Sequence, residues 1–353
     1  MNARAFLTLI FLPTAAFAQG FAGLGGPATD FLPVTAPAHV AFPRDHGAHP
    51  GFRVEWWYLT ANLRDADGAD YGAQWTLFRS ALAPGAEPDG WASTAIWMGH
   101  AAATSDATHR FAETFARGGV GQAGVTLDPF HAWIDDWEMI ASPTPGSDAL
   151  ADIRVRARGE DFAYDLHATA ARPPVLQGDG GHSVKSEQGQ ASYYYSQPFY
   201  RVDGTLTLDG RATAVTGEAW LDREWSSQPL TEDQLGWDWF ALHLDDGAKV
   251  MLYRMRARTA PPFLVGTWID PDGAATPLRP GEISLSQRAE TEVAGRSVPT
   301  AWHIEIPNHR LVVDTAPLNA QSWMGTLFPY WEGPIRITGS HPGRGYLEMT
   351  GYQ

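Results

Sequence analysis

The sequence predicts an all-β protein built from two related domains. Short aromatic and β-branched segments are separated by Gly, Pro, Asp and Asn, and no long segment places apolar residues at helical spacing. A pattern of an aromatic strand, a tight turn and a second strand ending in aromatic-Arg occurs at residues 57–79 and again at residues 239–254. The length of 353 residues also suits two domains better than one.

A second pair of segments extends this repeat. Residues 195–222 contain two segments that recur within residues 330–348, with Trp220 aligned to Tyr346. An internal repeat of this length indicates that one structural unit is used twice. We therefore expect residues 345–352 to form a strand that closes the second domain, as the strand around Trp220 closes the first.

The N-terminus has the features of a secretory signal peptide. A short positive segment precedes the apolar residues 5–12, and the sequence Ala-Phe-Ala at residues 16–18 provides a cleavage site before Gln19. An uncleaved membrane anchor is the alternative, although no Cys follows that would carry a lipid. We expect residues 1–18 to be removed and the mature protein to be periplasmic or secreted.

The remaining chain divides into an extended leader at residues 19–48, a first domain at 49–226 and a second domain at 230–353. The leader is rich in Gly, Pro and Ala and has no periodicity. Within the first domain, residues 128–140 predict a strand hairpin, and the polar, Gly-rich residues 178–190 predict a loop.

The composition excludes several functions. The chain has no Cys, which removes disulfides, thiolate metal sites and Cys nucleophiles. Its formal net charge of -15 disfavours binding to nucleic acid. It also lacks the G-x-S-x-G motif of esterases and the H-E-x-x-H motif of zinc proteases. We therefore expect no metal site, no organic cofactor and no nucleic-acid partner.

Four motifs carry a family resemblance. The chain resembles the AttH-like proteins, a family that includes the carotenoid 1,2-hydratases (hydroxyneurosporene synthases) and secreted members labelled as hydrolases. The motifs are residues 53–58 (RVEWWY), 220–225 (WLDREW), 236–240 (GWDWF) and 345–352 (GYLEMTGY). The resemblance runs through nearly the whole chain after the leader, and it implies two tandem lipocalin-like antiparallel β-barrels.

Aromatic residues and two histidines are the candidates for ligand binding. A lipocalin-like barrel can hold one small apolar ligand, and aromatic side chains provide flat apolar walls for it. The candidate residues are Trp57, Trp220, Trp239, Tyr253, His100 and His243. Trp57 and Trp239 occupy matching positions in the repeat. The alternative for each aromatic residue is packing in a core or between the domains, and for each histidine a hydrogen-bonded place in a core.

Three carboxylates in aromatic segments are the candidate catalytic acids. In an extended strand, Asp222 and Glu224 share one face with Trp220, and Glu55 directly precedes two further Trp residues. Aromatic surroundings disfavour the ionised form of a carboxyl, which is how a general acid is produced. The alternative for Asp222 and Glu224 is an ion pair at the barrel rim with Arg79, Arg223 or Arg254, and the alternative for Glu55 is an arginine or histidine partner.

These features predict a protein that binds an apolar ligand, a lipid or an isoprenoid, in or between its two barrels. One alternative is a cofactor-independent enzyme, either a hydratase acting on an isoprenoid double bond or a hydrolase. Hydration needs an acid to protonate the alkene and aromatic faces to stabilise the cation. Another alternative is a non-enzymatic accessory protein of an envelope transport or export system. An aromatic cavity with a convergent acid would favour the enzyme; the sequence leaves ligand, partner and oligomeric state open.

Overall fold

The computed structural model describes residues 30–142, 146–228, 230–231 and 233–352. These residues form β-strands joined by turns and by short 3-10 helices at Arg44–His46, Gly90–Ala92 and Pro307–His309. They contain no α-helix, and none of their helices is long and apolar enough to cross a membrane. The predicted signal peptide and the start of the predicted leader lie outside the described residues.

The first sheet is formed by the strands between residues 54 and 226. They are β1 Val54–Arg64, β2 Asp70–Ala81, β3 Ala95–Thr104, β4 His109–Arg117, β5 Ala123–Leu127, β6 Phe130–Ile134, β7 Trp137–Ala141, β8 Asp152–Arg158, β9 Phe162–Ala170, β10 Val175–Leu176, β11 His182–Val184, β12 Ala191–Leu208 and β13 Arg211–Ser226.

The second sheet is formed by the strands between residues 234 and 350. They are β14 Gln234–Leu244, β15 Lys249–Ala257, β16 Phe263–Ile269, β17 Ala275–Leu278, β18 Ser284–Val293, β19 Arg296–Ile306, β20 Leu311–Pro317, β21 Trp323–Met324, β22 Tyr330–Gly339 and β23 Gly343–Thr350.

Both sheets are antiparallel and curl on themselves. The first has the order β4-β3-β2-β1-β13-β12-β9-β8-β7-β6-β5, with β10 and β11 against β12. The second has the order β17-β16-β15-β14-β23-β22-β20-β19-β18, with β21 against β22. One sheet forms a nearly closed barrel and the other a half-barrel. The all-β prediction is confirmed, and the two sheets are called the first and second barrels below.

The repeat predicted from the sequence is visible in the strand order. The run β2-β1-β13-β12 of the first barrel matches β15-β14-β23-β22 of the second. Strand β23 lies between β14 and β22, just as β13 lies between β1 and β12. The last strand of each barrel therefore pairs with its first strand, as expected for strands that close the two units.

Side chains fill the inward faces of both barrels. The first core contains Trp57 and Trp75, and the second contains Phe240, Trp302 and Trp331, all fully buried. Aromatic side chains of this size bury large apolar areas and dominate the stability of such cores. The barrel interiors are therefore packed with protein at these positions.

A third apolar cluster joins the two barrels. It contains Tyr58 and Trp220 from the first barrel and Trp239, Met251 and Tyr253 from the second. These residues lie on the outward faces of their strands, because alternate residues of a strand point to opposite sides. The central strands of each barrel are therefore buried on both faces, one face in a barrel core and the other between the barrels.

Trp57 and Trp239 do not occupy matching environments, contrary to the sequence prediction. Trp57 points into the first barrel, whereas Trp239 points into the cluster between the barrels. By strand pairing, Trp239 lies opposite Glu348 as Tyr58 lies opposite Asp222. The sequence alignment is displaced by one residue at this strand, and a one-residue shift reverses the face to which a side chain points.

Two local predictions have mixed outcomes. The expected hairpin at residues 128–140 is present, since β6 and β7 pair with each other. The expected loop at residues 178–190 contains the short strand β11, which pairs with β12. The described part of the leader lies on the first barrel, where the Tyr193 hydroxyl donates to the Thr35 carbonyl oxygen at 3.1 Å.

Leu347 tests the contribution of β23 to the second barrel. Its side chain is fully buried in the core, so Leu347→Ala should lower the free energy of unfolding by about 2–5 kcal/mol through lost packing and a residual cavity. Val312, on β20 of the same barrel, is 48% exposed, and Val312→Ala should cost less than about 0.5 kcal/mol. Denaturant unfolding measures both values, and equal losses would contradict the placement of β23.

Candidate active site

A cavity of about 540 Å³ lies between the two barrels. Its walls come mainly from β1, β2, β3 and β13 of the first barrel and from β14, β15, β22 and β23 of the second. A space of this size with apolar walls suits a small apolar molecule. The aromatic residues that line it are Trp56, Tyr58, Phe78, Phe115, Trp237, Trp239, Tyr253, Phe328 and Tyr330.

Strand β13 directs two carboxyl groups towards this cavity. Asp222 and Glu224 line it, and Trp220 lies beside them in the cluster between the barrels. Leu221 and Trp225 point the other way, into the core of the first barrel. The alternation predicted from the sequence of this strand is therefore confirmed.

Asp222 is buried among neutral hydrogen-bond donors. Its Oδ1 accepts from Ser196 Oγ at 2.5 Å and from Trp220 Nε1 at 2.6 Å, and its Oδ2 accepts from the Tyr194 hydroxyl at 2.6 Å. Burial raises the pKa of Asp222 to about 7, although the hydrogen bonds from Ser196, Tyr194 and Trp220 act to lower it. This carboxyl group therefore titrates near neutral pH.

Glu224 has a lysine partner and not the arginine considered from the sequence. Its Oε1 lies 3.0 Å from Lys185 Nζ. The same ammonium lies 4.5 Å from the ring centroid of Tyr194 and 4.6 Å from that of Tyr253. Within the described part of the chain, no arginine forms an ion pair with Asp222 or Glu224. The arginine ion pairs considered for these two carboxylates are therefore absent from the described residues.

Glu55 also lines the cavity, but it is held by arginines of the first barrel. Arg79 Nη1 lies 3.2 Å from its Oε1, and Arg223 Nη2 and His49 Nδ1 lie 2.5 and 3.2 Å from its Oε2. Burial alone would raise the pKa of Glu55, but Arg223, His49 and Arg79 together lower it to about 2. A carboxylate held ionised in this way is a poor proton donor. The structure therefore favours the ion-pair alternative for Glu55 over the catalytic one.

The second barrel contains a comparable ion pair. Arg254 Nη2 lies 2.6 Å from Asp238 Oδ2, and the guanidinium lies 4.4 Å from the ring centroid of Trp302 in the barrel core. The arginine at the end of each aromatic-Arg repeat thus points inward to a carboxylate of its own barrel. This direction explains why the outward carboxyl groups lack arginine partners.

Glu348 is a cavity residue that the sequence reasoning did not select. It lies on β23 opposite Trp239, faces the cavity, and accepts a hydrogen bond from Trp237 Nε1 at 2.6 Å. Burial raises the pKa of Glu348 to about 7; the Trp237 hydrogen bond opposes this shift, and the charges of Asp222 and Glu224 add to it. The alignment of Trp220 with Tyr346 also aligns Asp222 with Glu348, so the repeat contained the signal that identifies it.

The candidate tryptophans and tyrosine have three different positions. Trp239 and Tyr253 line the cavity, whereas Trp220 supports it by donating to Asp222. Trp57 lies inside the first barrel, where its Nε1 donates to the His46 carbonyl oxygen at 2.8 Å. Trp57 therefore belongs to a core and not to the cavity wall, because it occupies an inward position on β1.

The two candidate histidines stand behind the cavity wall, contrary to the prediction that they bind a ligand. His100 Nδ1 lies 2.9 Å from the hydroxyl of Tyr330, a wall residue. His243 is buried beside Trp220, with ring centroids 5.8 Å apart. Burial lowers the pKa of both histidines. Both are therefore neutral hydrogen-bonding or packing residues near neutral pH.

The cavity combines aromatic walls with two carboxyl groups, Asp222 and Glu348, that titrate near neutral pH. Such a group donates a proton when it is protonated and accepts one when it is ionised, so the pair is suited to general acid–base chemistry. Among the described residues, no group of three or more His, Asp and Glu side chains is arranged to hold a metal ion.

Comparison with known proteins identifies the family. The family model described as AttH-like matches residues 33–352, which is most of the chain. The chain belongs to the AttH-like family. The resemblance inferred from the four sequence motifs is therefore confirmed.

Solved structures share the fold of this AttH-like protein. A Nitrosomonas europaea protein described as AttH is 31% identical, with 91% of this chain and 99% of that chain covered and a TM-score of 0.80. Kievitone hydratase from Nectria haematococca is 16% identical, with 92% of this chain and 97% of that chain covered and a TM-score of 0.66. These matches confirm the tandem lipocalin-like architecture that the resemblance implied.

A curated relative matches part of the AttH-like chain. The dehydratase asqC of Emericella nidulans is 24% identical over 177 residues, which cover 47% of this chain and 49% of that protein. The match thus spans about half the length of this relative.

The raised pKa of Glu348 predicts a pH dependence of stability. Because the folded state favours the protonated carboxyl, the stabilisation that this group contributes is complete below its ordinary pKa of 4.5 and is lost as the pH rises through about 7. Glu348→Gln removes the titration and should raise the melting temperature, relative to the native protein, more above pH 7 than below pH 4.5.

Thermal unfolding across this pH range measures the effect. Glu290→Gln, on the exposed strand β18, is the matched control, and it should leave the pH profile unchanged. Identical profiles for the native protein and Glu348→Gln would contradict the assigned shift.

Proposed function

We propose that this AttH-like protein is a hydro-lyase that adds water to, or removes it from, an apolar substrate of the lipid or isoprenoid class, without a bound cofactor. The observation that carries the proposal is the pairing of Asp222 and Glu348, two carboxyl groups with pKa values of about 7 on one aromatic-lined cavity. Groups that titrate near the working pH are the most effective general acids and bases.

The cavity opening supports an apolar substrate. Four large apolar residues that line the cavity are also exposed to solvent: Leu82, Ile96, Phe115 and Leu327, at 67%, 39%, 44% and 63%. Exposed apolar residues grouped in this way mark a binding site more often than chance placement does. These side chains offer a hydrocarbon chain apolar contacts where the cavity meets solvent.

The hydrogen bonds favour Glu348 as proton donor and Asp222 as proton acceptor. Three donors on Asp222 stabilise its ionised form, whereas Glu348 accepts one bond from Trp237. In dehydration, Glu348 gives its proton to the substrate hydroxyl, the C–O bond breaks and water leaves. Asp222 takes a proton from the adjacent carbon, and the C–H electron pair becomes the double bond. Hydration follows the same steps in reverse.

Aromatic side chains near these carboxyl groups suit a carbocation-like transition state. Tyr58 is the strand neighbour of Asp222, and Trp239 is the strand neighbour of Glu348. The faces of aromatic rings attract positive charge, and Tyr253 adds a further ring to the same wall. Charge that develops on the substrate between the two carboxyl groups is therefore stabilised.

The names of two relatives support the proposed addition or removal of water. Kievitone hydratase and the dehydratase asqC are both named for the addition or removal of water. We extend that chemistry to this chain as part of the proposal, together with its apolar substrate class.

A second candidate is an apolar-ligand carrier with the same cavity. The ionised form of Asp222 is stabilised by three donors, which suits a permanent polar anchor as well as a base. The role beside an envelope transport system stays a prediction from the sequence.

Substitution of the two carboxyl groups separates the enzyme from the carrier. Glu348→Gln and Asp222→Asn should each lower turnover by about 10²- to 10⁴-fold, because each removes one proton-transfer step, and should leave binding of the substrate largely intact. The assay incubates acyclic isoprenoid alkenes and their tertiary alcohols in heavy-oxygen water and follows label incorporation by mass spectrometry. Turnover that survives both substitutions would exclude these residues as acid and base, and binding without turnover in the native protein would favour the carrier.

Trp239 tests the place of the ligand. A polyene fatty acid should quench tryptophan emission saturably, and Trp239→Ala should weaken its binding because the indole forms part of the cavity wall. Trp91 is 77% exposed, so Trp91→Ala serves as the control and should leave the affinity unchanged. The folded fraction of Trp239→Ala is checked first, since Trp→Ala at a buried site commonly costs about 3–5 kcal/mol. Equal affinities for both variants would place the ligand elsewhere.

A location outside the cytoplasm belongs to the same proposal. It is supported by the signal-peptide features of residues 1–18. The intact mass of protein recovered from the periplasm or medium should correspond to a chain that begins at Gln19. Recovery of a full-length chain from the cytoplasm alone would contradict this location.

A further inference from the structure

A chain of hydrogen-bonding groups runs from the protein surface to the cavity wall. Glu113 on β4 is 19% exposed, and its Oε1 lies 3.0 Å from His100 Nε2. His100 Nδ1 lies 2.9 Å from the Tyr330 hydroxyl, and the two rings stack with centroids 5.6 Å apart. Tyr330 interacts in turn with Glu332, whose Oε1 accepts a hydrogen bond from the hydroxyl of Tyr58.

Chemistry assigns the direction of each hydrogen bond. Partial burial acts to raise the pKa of Glu113, but hydrogen bonds from His100 and from the Leu327 backbone lower it, so this carboxylate is ionised and only accepts. His100 Nε2 therefore carries the proton. Burial lowers the pKa of His100, so its Nδ1 is unprotonated and accepts from the Tyr330 hydroxyl. Both of these hydrogen bonds are donated towards the protein surface, and each group can act as donor or acceptor.

The inner end of the chain adjoins the proposed acid. Glu332 and Glu348 are direct partners on β22 and β23, and Cβ atoms of such partners lie about 4.5–5.5 Å apart on the same face of the sheet. Burial raises the pKa of Glu332 well above its ordinary value, and Glu348 adds to this shift. Glu332 is therefore protonated beside the carboxyl group that loses a proton in each dehydration.

We propose that Glu113, His100, Tyr330 and Glu332 form a proton relay that carries the proton gained by Glu348 in each hydration out to solvent between turnovers. This inference rests on the proposed function, because it assigns the route by which Glu348 returns to its starting protonation state. None of these four residues exchanges a proton with the substrate directly; Glu113 and His100 act through Tyr330 and Glu332.

The transfer is balanced at every step. Glu332 gives its proton to the Tyr330 oxygen, the Tyr330 hydroxyl proton moves to His100 Nδ1, and the proton of Nε2 moves to ionised Glu113, which releases it to water. Glu332, now ionised, takes the proton that Glu348 has gained from the water molecule in hydration. One O–H or N–H bond breaks for each that forms, and the net change is one proton passed to water. No other reactant is needed.

Infrared spectroscopy of the intact protein tests the relay without a substrate. The carbonyl stretch of protonated Glu332 is identified by its loss in Glu332→Gln, and its shift after transfer to heavy water reports exchange of that proton. His100→Phe should slow this exchange by about 100-fold, the usual effect of removing one positioned proton-transfer group. His131→Phe is the matched control, because His131 forms a similar pair with Glu138 at 3.1 Å outside the chain; it should leave the rate unchanged.

Two further measurements keep the test decisive. Glu113→Gln removes the outer proton acceptor while retaining a hydrogen-bond acceptor for His100, and it should slow the exchange even if His100→Phe does not fold. With an active native enzyme, either variant should lower kcat by about 100-fold and leave KM nearly unchanged, with recovery in Glu113→Asp.

The outcomes separate the relay from the proposed function. Exchange as fast in folded His100→Phe and Glu113→Gln as in the native protein would overturn the relay, and so would the absence of a protonated-carboxyl band assignable to Glu332. Slow exchange in both variants supports the proton path. Slow exchange combined with no turnover of any isoprenoid probe would support the path and count against the hydro-lyase function.

Discussion

Burial of the central strands on both faces is the constraint on which the rest of the structure depends. The inward side chains of β1, β13, β14 and β23 fill two barrel cores, and their outward side chains meet in the cluster between the barrels. A strand with only one buried face could leave its polar residues in water. Here the polar residues at the centres of these strands are buried, and each must find a partner or change its protonation state.

The buried carboxyl groups of these strands have two kinds of partner, charged side chains and neutral hydrogen-bond donors. Those that point inward, Glu55 and Asp238, have arginine partners at 3.2 Å or less. Removing one partner of such a buried pair commonly costs about 3–5 kcal/mol, so these pairs belong to the framework of the barrels. Of those that point into the interface, Glu224 has a lysine partner, whereas Asp222 and Glu348 have hydroxyl or indole donors. Neutral donors compensate burial less than a full positive charge does, which leaves these two groups poised for proton transfer.

This division also relates the cavity to the repeat. Asp222 and Glu348 occupy equivalent strands, β13 and β23, and face the same cavity from opposite barrels. Duplication of one barrel thus brings two carboxyl groups together across the interface, where a single barrel would present one. The surrounding hydrogen-bond donors differ between the two copies, and this difference is what separates an acid from a base in the proposed reaction.

Much of the fold followed from the sequence, because it depends on local patterns. The all-β class, the repeat and the alternation of Asp222 with Leu221 are consequences of turn residues and of the two-residue period of strands. The match of Trp57 with Trp239 was wrong, because similar motifs in the two repeats hide a one-residue offset.

The site was harder to predict because its chemistry depends on distant contacts. Lys185 comes from a loop far from Glu224 in the sequence, and the pKa of Glu348 depends on burial and on the charges of Asp222 and Glu224 in the other barrel. The sequence offered Glu348 only as the partner of Asp222 in the repeat. A search for equivalent carboxyl groups in both copies would have identified it.

The most direct test of the account is the protonation state of the two cavity carboxyl groups. An NMR titration of isotope-labelled side-chain carboxyl carbons, assigned with Asp222→Asn and Glu348→Gln, reports both midpoints in the folded protein. Both groups should titrate near pH 7. Midpoints near the ordinary values of 3.8 for Asp222 and 4.5 for Glu348 would contradict it.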